Sequence, residues 1–166
     1  MPQGVYKALK SESEQQIESR MAAEKITLHC GDQEIDFDRK KLAARSTFFA
    51  DFFGISGFLD DATDLTSFRF DNFKLAHLCV VRKWIDLHKD EEMPERRDFH
   101  QDIPDDDMEI FCNLEISDVA QVLLIADYFN IAALAGNLKR YIARVIDEMA
   151  SKGGDLKSLL QALNLQ

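Results

Sequence analysis

The side chains able to do chemistry in this chain are few. They are His29, His77, His88 and His100, the cysteines Cys30, Cys79 and Cys112, the triplet Asp105-Asp106-Asp107 with Glu109, the pair Gly153-Gly154, and Ser46. The histidines are scattered, and no cysteine or carboxylate stands at metal-ligand spacing from one, so neither a metal centre nor a general acid–base pair can be read along the chain. The cysteines are odd in number and far apart, which argues against a disulfide framework or a zinc ligand set. They read as small buried hydrophobes in a reducing compartment. The acidic triplet lacks the alternate ligand positions and the turn glycine of a calcium loop. Gly153-Gly154 has no following lysine and no preceding strand, so it reads as a hinge or cap and not as a phosphate cradle. Ser46 lacks the small neighbours of a nucleophile elbow. The expectation is a protein without catalytic residues, metal or cofactor.

The elements that would position any site are easier to read. At 166 residues, 46% of them hydrophobic, the chain is long enough for one core and short for two. Its centre runs from Ile116 to Ile146. Val119, Val122, Leu123, Ala126 and Phe129 recur at three- and four-residue steps, and Leu124 and Ile125 fill the other side, which predicts a helix apolar almost all round and enclosed in the domain. Beyond Asn130 a second helix is predicted, with Ile131, Leu134, Leu138, Tyr141, Ile142, Val145, Ile146 and Met149 on one face and Lys139, Arg140 and Arg144 on the other. Ile26 to Cys30 and Glu34 to Asp38 alternate around Gly31-Asp32, a β-hairpin. Arg39 to Arg45 and a second short helix holding Phe48, Phe49, Phe52 and Phe53 follow, the second capped by Ser46 or Thr47 and closed by Gly54 and Gly57. Phe68-Arg69-Phe70 is a short strand that can join the hairpin, and Lys74 to His88 is helical through Leu75, Leu78, Cys79, Val81, Trp84 and Ile85. Met1 to Glu24 is polar with sparse apolar positions, a tail or marginal helix. These elements make an α+β fold, a small three-stranded sheet with its helices on one side.

Charge and apolar surface narrow the partners. The formal net charge of −10 argues against nucleic acid, whose phosphates would repel the chain. Between Asp86 and Glu109 there are eleven acids and three bases. That places most of the charge in one acidic connection, read as a solvated loop or as a contact for a basic partner. No apolar run of signal-peptide or membrane-spanning length is present, so no membrane partner is expected. Four phenylalanines within six positions exceed one buried face of a short helix. They either pack on the hairpin and central helix or supply a surface of exposed aromatics. Leu156, Leu159, Leu160 and Leu163 form one face of a final short helix, which must pack on the domain or on a partner helix.

The ordered series Ile26-Thr27-Leu28 through Asp38, Lys83-Trp84-Ile85 with His88-Lys89-Asp90, Asp102-Ile103-Pro104, and Leu124-Ile125-Ala126-Asp127-Tyr128-Phe129-Asn130-Ile131 with Leu134 resembles the S-phase kinase-associated protein 1 (Skp) family, the adaptors of cullin ubiquitin ligases. The resemblance covers about Lys25 to Leu165. It implies a BTB/POZ-type fold, Skp- and elongin C-like, with residues 1–24 as a tail, 25–131 as the BTB/POZ-type core and 132–166 as a C-terminal helical extension. It implies no enzymatic activity. In the family the BTB/POZ part grips a cullin and the last helices hold the F-box of a substrate receptor. The cullin-facing residues implied here are Asp127, Tyr128, Phe48, Phe49 and Phe52. The F-box or self-association face implied is Leu138, Tyr141, Ile142, Val145, Leu156, Leu159, Leu160 and Leu163.

Two departures stand out. Family members usually carry Asn-Tyr where this chain has Asp127-Tyr128, and an added charge at a cullin contact costs about 1 to 3 kcal/mol once desolvated. Family members usually also continue past the match with an acidic stretch and a further helix that closes over the F-box; if this chain is complete, its apolar shelf is expected to be less covered. Elongin C, by contrast, ends near the position equivalent to Ile131. The expectation is therefore a cytoplasmic and nuclear adaptor binding a cullin and F-box proteins. The alternative is a self-associating homodimeric paralogue with weak or no cullin binding, and an enzyme is the remote third.

Overall fold

The computed structural model describes residues 25–56, 67–89, 102–153 and 161. The readings made for residues 1–24, for Gly57 and Gly154, and for the leucine face Leu156, Leu159, Leu160 and Leu163 lie outside these.

Strands β1 (Lys25–Cys30) and β2 (Gln33–Asp38) form the expected antiparallel hairpin, with Ile26 opposite Phe37 and Leu28 opposite Ile35. These four and Cys30 are buried, while Glu34 and Asp36 point out, so the sheet covers the core with one face. Gly31 takes φ +61 in the two-residue turn, a region a β-carbon would strain. Two helices follow, α1 (Arg39–Arg45) and α2 (Thr47–Ser56). Asp38 caps α1 by accepting from the Lys41 N–H at 2.9 Å. Strand β3 (Ser67–Arg69) then joins the free edge of β1 in parallel, giving the order β2-β1-β3. The remaining helices are α3 (Leu75–Leu87), α4 (Asp105–Cys112), α5 (Ile116–Tyr128) and α6 (Ala132–Ser151). Helix α3 lies on β2 and α1, α5 packs on α3, α6 packs on α5, and α4 bridges α3 and α6. The core is one cluster whose largest members are Trp84, Phe37, Phe49, Phe111 and Phe129.

Four expectations change. Gly54 lies inside α2 instead of closing it. The acidic stretch from Asp86 to Glu109 is not all loop, because Asp86 belongs to α3 and Asp105 opens α4. Three aspartates in the first turn meet the positive end of the α4 dipole, which favours helix over coil there. Helix α5 is not enclosed all round, since Leu124 is 58% and Tyr128 56% exposed. Of the cysteines only Cys30 is buried, whereas Cys79 and Cys112 are exposed free thiols. Burial, with Asp71 and Cys79 adding, raises the Cys30 thiol above its usual range.

Among the described residues no helix is long and apolar enough to cross a membrane.

Candidate protein-binding surface

The groundwork is a junction between two helix ends. Helix α5 closes in a Schellman motif: Asn130 takes φ 51, its N–H bonds the Asp127 carbonyl at 3.1 Å, and the Ile131 N–H reaches the Ala126 carbonyl at 2.8 Å. Asparagine is one of the few residues besides glycine that adopts this left-handed conformation readily. Helix α2 begins against this end. The Ser46 hydroxyl donates to the Phe129 carbonyl and accepts from the Phe49 N–H at 3.1 Å, so it caps α2 and ties it to α5 at once. The Asn130 side-chain amide donates to the Thr47 hydroxyl, and the Thr47 N–H bonds the Asn130 carbonyl at 3.4 Å.

The junction brings together aromatic rings from α2, from β3 and the turn after it, and from the end of α5. Phe49 and Phe129 sit at the bottom, wholly buried and edge-to-face at 5.0 Å. Phe48, Phe70 and Phe73 surround them, half-buried, and each lies 5.5 to 5.9 Å from the Tyr128 ring. Phe52 continues the cluster, edge-on to Phe68 at 4.8 Å, and the Arg39 guanidinium lies over the Phe53 ring at 4.3 Å. The result is an aromatic platform capped by Tyr128, with Leu124 exposed one turn back on the same helix. Mutual ring packing holds Tyr128 in place without burying it. Beside it, Asp127 pairs with Lys139 of α6 at 3.0 Å, both side chains about half exposed.

Of the five residues expected to face a cullin, Tyr128, Asp127, Phe48 and Phe52 share this surface. Phe49 does not: it is a core residue whose ring supports the others, and it cannot itself touch a partner. Within the phenylalanine cluster Phe49 is thus fully interior, while Phe48, Phe52 and Phe53 are half-buried.

The second face lies along α6. Leu134 and Leu138 are buried, so Leu138 belongs to the core and not to a binding face. Tyr141 and Ile142 are half-buried and pack against the core, with Tyr141 5.6 Å from Phe111, and Val145 is half-buried one turn on. Burial, and then a hydrogen-bonded Cys112, pushes the Tyr141 hydroxyl above the ordinary tyrosine value.

The sequence reading missed a polar network between these faces. Asp107 is wholly buried, and its Oδ1 accepts from Trp84 Nε1–H at 3.0 Å and stands 2.6 Å from His88 Nε2. Its Oδ2 accepts from the Asn137 amide, whose oxygen accepts in turn from Arg140. Buried Arg45 of α1 donates to the His88 carbonyl. The one local signal was helical phase, because Asp107 shares a side of α4 with the buried Ile110 and Phe111. A second histidine–carboxylate pair, His77 with Asp118 at 2.9 Å, links α3 to α5.

Among the described residues no group of three or more His, Cys, Asp and Glu is placed to hold a metal ion. A surface hollow of about 440 Å³ between β2 and α3 mixes Lys25, Lys41 and Arg82 with Asp36, Asp38 and Asp86, and the Lys41–Asp86 ion pair stands at its edge at 2.7 Å. Balanced charge of this kind selects no particular ligand.

Comparison with known proteins finds no family model that matches the chain and no match among curated proteins.

Proposed function

We propose that this chain is a non-catalytic adaptor with a BTB/POZ-type fold, bridging a cullin scaffold to F-box substrate receptors in a ubiquitin ligase of the cytoplasm and nucleus. The observation that carries the reading is the aromatic platform, where Tyr128 stands 56% exposed over half-buried phenylalanines. Aromatic side chains held rigid and half-wet are what a protein partner uses as an anchor, because they bury large area at little entropic cost. The order of the described elements supports the reading: a hairpin, two short helices, a returning parallel strand, then four helices of which the amphipathic α6 is the longest. The acid in place of the family amide is compatible with it. Asp127 is already paired with Lys139, so its charge is partly balanced before a partner arrives.

The test is titration of the purified chain with the N-terminal helical region of a cullin and, separately, with an F-box segment, read by calorimetry. Micromolar or tighter binding of both is expected. Binding of neither, with the fold intact by circular dichroism, removes the reading.

Self-association is the second reading. It is favoured by the apolar stripe of α6, which continues through half-buried Val145, Ile146 and Met149. Sedimentation decides it, since a strict monomer at high concentration contradicts a homodimer.

A further inference from the structure

We propose that Asp107 is the positioning residue that sets the register of α6 on the domain, and through it the presentation of Tyr141, Ile142 and Val145. Only the purpose of that face rests on the adaptor reading. The seating itself does not.

Helix α6 reaches the interior through Leu134, Ala135, Leu138 and Asn137. The first three are apolar, and apolar contacts are non-directional, so they hold the helix without choosing among closely related alignments. Asn137 is the exception. Its amide is wholly buried and its orientation is set from both sides, since Arg140 donates to its oxygen and its NH2 donates to Asp107 Oδ2. Asp107 is anchored on the opposite side by Trp84 of α3 and by His88, which caps that helix. One carboxylate thus joins α3, α4 and α6 through side chains that fit in only one arrangement.

A slip of α6 by one residue rotates its faces by roughly 100°. That carries Asn137 away and leaves a buried carboxylate oxygen without its donor, a heavy cost in a dry interior. A buried charge of this kind does little for net stability compared with apolar residues of equal volume, and its best-attested role is to specify register.

The geometry supplies a reciprocal test. In Asp107→Asn, one side-chain oxygen still serves Trp84 and His88, but the new NH2 meets the Asn137 NH2, donor against donor. In the double variant Asp107→Asn with Asn137→Asp, the carboxylate moves to α6. There it accepts from the new amide on α4 and from Arg140, and every bond is remade.

Hydrogen–deuterium exchange of the full chain reads the outcome. Asp107→Asn is expected to speed exchange of α4 and α6 amides roughly 10- to 100-fold while β1, α3 and α5 stay as in the parent. The double variant is expected to restore the parent pattern. Unchanged exchange in α6, a uniform rise across all elements, or no restoration in the double variant overturns the proposal. If the single variant does not fold, the double variant decides: native α6 protection upholds the proposal and its absence ends it. Failure of the parent chain to bind either the cullin region or an F-box segment, with the exchange pattern as expected, removes the adaptor reading and leaves this one standing.

Discussion

Tyr128 and Phe49 show how two aromatic residues in one cluster divide the labour. Tyr128 is mostly in water and touches rings on one side, so Tyr128→Ala should lower stability by only about 1 kcal/mol, the worth of its ring contacts. It should weaken a cullin contact by about 2 kcal/mol or more, as expected of an aromatic anchor. Thermal melts and calorimetry on the same variant separate the two effects, and a melting shift as large as a core deletion would show that Tyr128 is structural. Phe49→Ala is that core deletion. With no exposed surface and four ring neighbours, its loss should cost about 3 to 5 kcal/mol in urea unfolding. At Asn130 the backbone φ of 51 sets the outcome. Asn130→Ala should cost about 1 to 2 kcal/mol, and Asn130→Gly less, because glycine keeps the left-handed conformation and loses only the bond to Thr47. Much at this scale was legible in the chain. A cap at Ser46 or Thr47, which the structure gives to Ser46, and a turn at Gly31-Asp32 were recognisable, since both act on backbone within three positions. The difference between Phe49 and Phe52 was not, because it depends on where Phe129 and Phe68 arrive from other elements.

Helix α6 carries the element-scale consequence. Its outer half is fastened by Tyr141 on Phe111, whereas Arg144–Glu148 is an exposed pair within the helix itself and worth little. Burial raises the Tyr141 hydroxyl above its ordinary value of 10.0, so the folded state holds that proton more tightly than the unfolded state does. The resulting stability is complete below the ordinary tyrosine value and is lost as the pH rises through the higher folded value. Tyr141→Phe cannot ionise, and it should lose less stability than the parent over that alkaline range, as measured by urea unfolding at a series of pH values. At the acid end, Arg69 beside Asp71 lowers that carboxyl, giving a surface contribution that is present above the ordinary carboxylate value and lost as the pH falls through the lowered one. The α4 segment marks the limit of reading elements from composition. An acidic run resembles a solvated loop until the phase of Asp107, Ile110 and Phe111 is taken into account, and then a short amphipathic helix with one acid turned inward accounts for the pattern.

For the whole molecule, the platform at the end of α5 and the outer face of α6 are built from separate sets of side chains, and the adaptor reading requires both to be occupied together. Tyr128→Ala should therefore lose the cullin region while keeping an F-box segment, and Ile142→Asp should do the reverse. Sedimentation of three-component mixtures would show the parent chain alone carrying both, and loss of both partners from either variant would contradict separate surfaces. The chain by itself determined the hairpin, a third short strand able to join it and the two long C-terminal helices, because each is written in a local period of two or 3.6 residues and in turn and cap residues that act on their own neighbourhood. Only the tertiary structure decided that Leu124 and Tyr128 face water, that Cys79 and Cys112 are exposed, and that Asp107 meets His88 and Asn137 inside. The last of these joins residues 19 and 30 positions apart, in the His88–Asp107 and Asn137–Asp107 bonds. Local periodicity says which side of a helix is apolar, and packing against the rest of the chain selects which part of that side is covered.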